Sequence, residues 1–199
     1  MTVLRVIPAA DGKRARWKND GGWTTEIARS DDADGADFRW RISIAEIETD
    51  GPFSIFHGID RDLLLLEGNG IELDIDDALP LKLTRRFAHV RFRGESTVDC
   101  RLLAGATRDF NVMARRDVVR AEVIARPLVG PMVIFPERGA EWFVHVFAGH
   151  ALARSGEHRF ALGTGDSLHV DYREDGGARI VIEGGGEIVL VKFLTPDAA

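Results

Sequence analysis

A repeat of strand-like segments constrains this chain more than any other feature. Leu63-Leu64-Leu65-Leu66-Glu67-Gly68 is matched by Val144-His145-Val146-Phe147-Ala148-Gly149, with Gly68 and Gly149 lying 81 residues apart. His89-Val90-Arg91-Phe92 is matched by His169-Val170-Asp171-Tyr172 at an offset of 80. A shared offset over separate segments is informative, because a duplicated unit keeps its internal spacing. The halves predict two similar β units, residues 1–115 and 116–199. A chain of 199 residues is long enough for one large all-β domain or two small fused ones.

The runs themselves have strand periodicity. In Trp40-Arg41-Ile42-Ser43-Ile44 the apolar residues share one parity while Arg41 and Ser43 share the other, and side chains alternate across a strand. One face is core; the other meets solvent or a barrel cavity. Ile71 to Asp76 reads the same way with a solvated acidic face. Ile180-Val181-Ile182 and Ile188 to Val191, joined by Glu183 and Gly184 to Gly186, read as a hairpin. About ten such runs are separated by Gly, Asp and Pro, and helix signals are weak.

Composition excludes several classes. The net charge of −6 disfavours nucleic acid and anionic membranes as partners. The longest aliphatic run, Leu63 to Leu66, falls far short of the roughly 20 residues of a membrane-spanning helix. Met1 to Ala10 lacks the apolar stretch of a secretory signal, so a cytoplasmic location is expected. Cys100 is the single cysteine, which excludes an intramolecular disulfide, and its apolar surroundings read as a buried thiol. A homodimer is left open.

Three polar segments carry the candidate chemistry. Trp17-Lys18-Asn19-Asp20-Gly21-Gly22-Trp23-Thr24-Thr25-Glu26-Ile27 reads most simply as a hairpin turning at Asn19 to Gly22, with Trp17 and Trp23 capping the core. Asp50 to Arg61 reads as a loop with Asp60 and Arg61 as a surface charge pattern. In Arg108-Asp109-Phe110-Asn111-Val112-Met113, Asp109 and Asn111 face one side, and a polar pair inside a barrel needs partners.

Leu162-Gly163-Thr164-Gly165-Asp166-Ser167-Leu168 resembles the "L-x-x-G-D-x-L" turn of cupin barrels. This favours a duplicated cupin over an ordinary sandwich of generic hairpins. More specifically, three ordered segments resemble the HutD/Ves proteins of histidine-utilisation operons. Trp17 to Ile27 is similar to "W-K-N-G-G-G-x-T-x-E-I"; the second segment runs from Trp40 through Asp50-Gly51-Pro52-Phe53-Ser54 to Gly58-Ile59-Asp60-Arg61, and the third is Asp109 to Arg116. Asp20 departs from a glycine of the pattern and His57 from an expected proline.

The resemblance implies an all-β bicupin, two tandem cupin-like barrel or sandwich units of the RmlC-like kind. It implies a pocket for a small carboxylate intermediate of histidine catabolism, such as N-formylglutamate or urocanate, in a ligand-binding regulatory protein. Arg41 and Arg61 suit a carboxylate through paired N–H donors. Asn19 and Asn111 suit a formamide or imidazole edge, and Phe53 a flat wall. Lys18, Glu26, Ser43, Ser54 and Asp109 complete the expected lining. No metal or other cofactor is expected, because the histidines His57, His89, His145, His150, His158 and His169 contain no His-x-His pair. The alternative is a metal-free isomerase or amidohydrolase with Glu26 and Asp109 as acid and base.

Overall fold

The computed structural model describes residues 2–31, 38–172 and 179–195. Among these the strands are β1 (Thr2–Ile7), β2 (Lys13–Arg16), β3 (Gly22–Asp31), β4 (Phe38–Ile47), β5 (Gly51–Pro52), β6 (Ile59–Glu67), β7 (Ile71–Ile75), β8 (Leu81–Leu83) and β9 (His89–Arg93). They continue with β10 (Val98–Leu102), β11 (Thr107–Arg115), β12 (Arg120–Val129), β13 (Met132–Ile134), β14 (Ala140–Ser155), β15 (His158–Gly163), β16 (Ser167–Tyr172) and β17 (Ile180–Leu194). The only helical element among the described residues is a 3-10 turn, Ala9–Asp11. No helix there is long and apolar enough to cross a membrane. The short strands β2, β5, β8 and β13 explain why sequence periodicity counted fewer.

Two compact units divide the chain, one of them Gly12–Val118. It stacks a six-stranded sheet, β2-β3-β4-β11-β6-β9, on a four-stranded one, β5-β10-β7-β8. The expected alternation holds in β4, where Trp40, Ile42 and Ile44 are buried on one face. The core between the sheets takes Ile47, Leu63, Leu65 and Phe92 from the wide sheet and Ile71, Leu73, Leu83, Val98 and Cys100 from the narrow one. Burial pushes the Cys100 thiol up to about 12, so it is an inert apolar group.

The other unit combines the N-terminal segment with Val119 onward. β1 therefore departs from the 1–115 and 116–199 division: it pairs antiparallel with β16, from Thr2↔Tyr172 to Ile7↔Ser167. Leu4 and Val6 pack on this unit's core. No repeat signal covered those residues, so proximity in sequence was a poor guide.

The hairpin expected at Gly184 to Gly186 does not form. Ile180–Leu194 is one strand, paired along its length with β14. The glycines sit where this long ribbon bends: a Cβ at Gly186 would lie 1.9 Å from the Ala148 carbonyl oxygen, and one at Gly149 would lie 2.0 Å from that of Gly185. The sequence needs glycine there for close backbone approach rather than for reversal. Bending lets both arms of the ribbon share one core, with Val144, Val146, Ile188 and Leu190 from one arm and Ala151, Ala153, Ile180 and Ile182 from the other. The cupin-like turn lies between β15 and β16, where Asp166 Oδ2 accepts the Gly163 N–H at 2.8 Å and Oδ1 the Ala9 N–H at 2.9 Å.

Candidate functional site

A cavity of about 550 Å³ opens in the Gly12–Val118 unit. Its origin is the mismatch between six strands and four. The narrow sheet supplies core opposite β6 and β9, whereas the same face of β4 and β11 carries Arg41, Ser43, Ala45, Asp109, Asn111 and Met113, which line the cavity. Register sets them in rows: Arg41 and Arg61 flank Met113, while Ser43 and Leu63 flank Asn111. The hairpin segment Arg16–Asn19 and the loop Pro52–Ser54 complete the wall.

Arg61 is the centre of the site. It is 6% exposed, and the rings of Phe53, Phe56 and Phe92 lie 5.0–5.8 Å from its guanidinium carbon. Nη2 donates to Asn111 Oδ1 at 3.0 Å and Nη1 to the Ser54 carbonyl at 3.5 Å. Nε has no partner. Burial lowers the guanidinium to about 10, opposed by the charge of Asp109 and assisted by that of Arg41. Asn111 Nδ2 in turn donates to Asp109 Oδ1, while Asp109 Oδ2 has no partner. Asp109 is 1% exposed, and burial raises its carboxyl to about 7 against the pull of Arg61. The base of the cavity thus holds an amide relay between a cation and a carboxyl, each with one polar atom to spare.

Arg41 lies on the cavity side of β4, and Glu26 Oε2 accepts its Nε at 2.7 Å. Glu26 itself is absent from the lining. It orients Arg41 from β3, leaving the guanidinium ends available, and this corrects its expected place in the pocket. Lys18, Asn19, Arg41, Ser43, Phe53, Ser54, Arg61, Asp109 and Asn111 all border the cavity. Arg61 is therefore not part of a surface charge pattern; Asp60 pairs with Arg116 instead, at 2.6 Å.

Sequence reasoning missed Arg16, Thr24, Pro52, Phe56 and Met113, and Trp17 was read only as a core cap. Trp17 does both, packing on the core and donating Nε1 to Thr24 Oγ1 at 2.7 Å. The parity that placed Asp109 and Asn111 on one side also carried Met113. Trp23 stacks under Arg14 and Arg16, at 4.3 Å and 5.0 Å. Asp20, at φ 55, adopts the left-handed backbone that the family glycine serves, and its side chain is 84% exposed and outside the lining.

The lining has three arginines, one lysine, one aspartate and no histidine, a donor set that fits an anion and not a transition metal. Among the described residues no three His, Cys, Asp or Glu side chains converge.

Fold and cavity together define an all-β, cupin-like protein with a cavity lined by cationic side chains. The HutD family model matches residues 9–190, and the chain belongs to the HutD family. An uncharacterized 21.2 kDa protein from the hutC 3′ region of Pseudomonas putida is 44% identical over 124 residues, which are 62% of this chain and 64% of that protein. HutD from Pseudomonas fluorescens SBW25 (formate condition) superposes with a TM-score of 0.81 at 31% identity, covering 97% of this chain and 99% of that one. The conserved protein PA5104 from Pseudomonas aeruginosa PAO1 gives 0.83 at 29% identity, with 97% and 98% covered. The nickel(II) complex of the pirin YhhW from Escherichia coli shares the fold alone, at 0.63 and 12% identity over 98% of this chain and all of that one.

Proposed function

We propose that the cavity binds a small carboxylate metabolite of histidine degradation, with N-formylglutamate and urocanate as the candidates, and that the protein acts through this binding as a regulator. The observation that carries the reading is Arg61, a guanidinium buried among three aromatic rings with no carboxylate in hydrogen-bond contact and a free Nε. A buried charge needs a counter-charge, and an anion in the cavity supplies one. Arg41 offers a second donor pair, while Asn111 and Asp109 receive the uncharged end of the ligand. The histidine link rests on HutD family membership and on the hutC 3′ location of the Pseudomonas putida relative. The pocket belongs to one half of a bicupin, and the matching strands of the other half carry an aliphatic core cluster.

A second reading, metal-free acid–base catalysis, is favoured by Asp109 alone. A carboxyl held near 7 is suited to proton transfer at neutral pH. Glu26, its expected partner, does not face the cavity.

Thermal unfolding with each carboxylate, followed by proton NMR of the incubated ligand, separates the readings. At about 100 times the dissociation constant, binding contributes roughly 2.7 kcal/mol, a rise of about 5–10 °C for a domain of this size. The binding reading expects that rise and intact ligand. Converted ligand favours the enzyme, and absence of any rise with either compound contradicts the proposal.

A further inference from the structure

The open edge of the seven-stranded sheet is complementary to itself. β12 ends the strand order β1-β16-β14-β17-β12. An unpaired edge offers N–H and C=O groups to any strand that fits them. Pro127 fixes which groups those are. It has no N–H and is tolerated in a sheet where its nitrogen faces the open side. The β12–β17 register runs unbroken from Arg120↔Leu194 to Val129↔Gly185, so the odd-numbered residues of β12 turn their backbone outward with Pro127. Between them Ile124 is 53% exposed, a large aliphatic residue at an edge that no strand among the described residues covers. Glu122 and Arg126 flank it, both exposed. Arg126 bonds only to the adjacent Pro127 carbonyl, and neither residue has an ion-pair partner among the described residues.

We propose that two copies of the chain join edge to edge through β12, antiparallel, about a two-fold axis at Ile124. About that axis Glu122 of each copy stands opposite Arg126 of the other, and the two Ile124 side chains meet. Val123 and Ala125 exchange backbone hydrogen bonds. The charge pairs occupy non-hydrogen-bonded positions, where facing side chains approach most closely. Pro127 opposite Ala121 ends the ladder at both sides, and a self-complementary contact of this kind closes as a dimer. Other registers lose the match. Centring on Val123 sets Arg120 against Arg126, and centring on Ala125 sets Glu122 against Leu128.

Sedimentation of the full chain at micromolar concentrations is expected to give a dimer. Glu122→Arg or Arg126→Glu weakens it about tenfold, and the two together restore it. Circular dichroism checks that each variant folds. Register is read independently by oxidising Ile124→Cys and Glu122→Cys, since the native Cys100 is buried. Ile124→Cys crosslinks across the axis. Glu122→Cys does not, because its own copies lie about 13 Å apart along the strands. A monomeric parent, a dimer indifferent to both charge reversals, or equal crosslinking of the two cysteine variants overturns the proposal.

Discussion

In the Gly12–Val118 unit Asn111 stands beside Leu63, and at the matching rung of the other unit Leu190 stands beside Val144. One neighbouring rung repeats the contrast and the other does not, since Lys192 is itself a cation, 5.3 Å from the Trp142 ring. Phe92, Arg61 and Met113 correspond to Val170, Trp142 and Lys192, and Asp109 beside Leu65 corresponds to Ile188 beside Val146. One strand arrangement thus carries two interiors. The C-terminal ribbon fills its space with aliphatic side chains, and stability there comes from burying them. The other unit keeps a cationic and amide row, satisfied mostly within itself, and leaves Arg61 Nε and Asp109 Oδ2 without a partner among the described residues.

Exchanging the two kinds of residue tests this contrast, with the largest effect in the filled unit. Leu190→Asn leaves a gap and an unpaired amide among Val144, Leu168 and Ile182. Denaturant unfolding should register a loss of about 3–5 kcal/mol. Asn111→Leu borders open cavity, where water can reach the freed groups, and should cost no more than about 2 kcal/mol. Equal costs for the two would break the distinction between filled and open units.

Smaller for each pH unit crossed is the effect carried by Asp109. Its carboxyl is raised from 3.8 to about 7 on folding, so the folded chain holds this proton over a range where the unfolded chain has lost it. Its contribution to stability is complete below about 3.8, declines as pH rises and is gone above about 7, at no more than about 1.4 kcal/mol per pH unit. Asp109→Asn should remove that slope from the variant's unfolding profile, so that it appears in the difference between parent and variant. An unchanged slope would mean the carboxyl is not held protonated by burial.

Much of this contrast was legible in the sequence. Period-2 alternation placed Arg41 and Ser43 opposite Trp40, Ile42 and Ile44, and put Asp109 with Asn111, because strand parity is a local property. Partners across the sheet were not legible. Nothing in Glu26 distinguishes a carboxylate facing a cavity from one that holds Arg41 from behind. Gly184 to Gly186 read as a turn because a glycine run suits reversal and close approach equally, and only the β14 pairing decides between them. β1 joined the later unit through contacts more than 150 residues away in sequence, beyond any local pattern. Nor does any local pattern pair Arg91, in the repeat segment His89 to Phe92, with the buried Asp62 that its guanidinium holds at 2.8 Å.

On the proposed function, a buried guanidinium in the open unit receives a carboxylate. Calorimetric titration tests it most directly, with N-formylglutamate, urocanate and uncharged amides of the same size added to the parent, Arg61→Gln and the exposed control Arg159→Gln. The parent and the control should bind one carboxylate per chain and neither amide. Arg61→Gln should weaken binding by about 2–5 kcal/mol, the cost of truncating one partner of a buried charge pair. Equal binding of carboxylates and amides, or an Arg61→Gln protein that binds as the parent does, would contradict it.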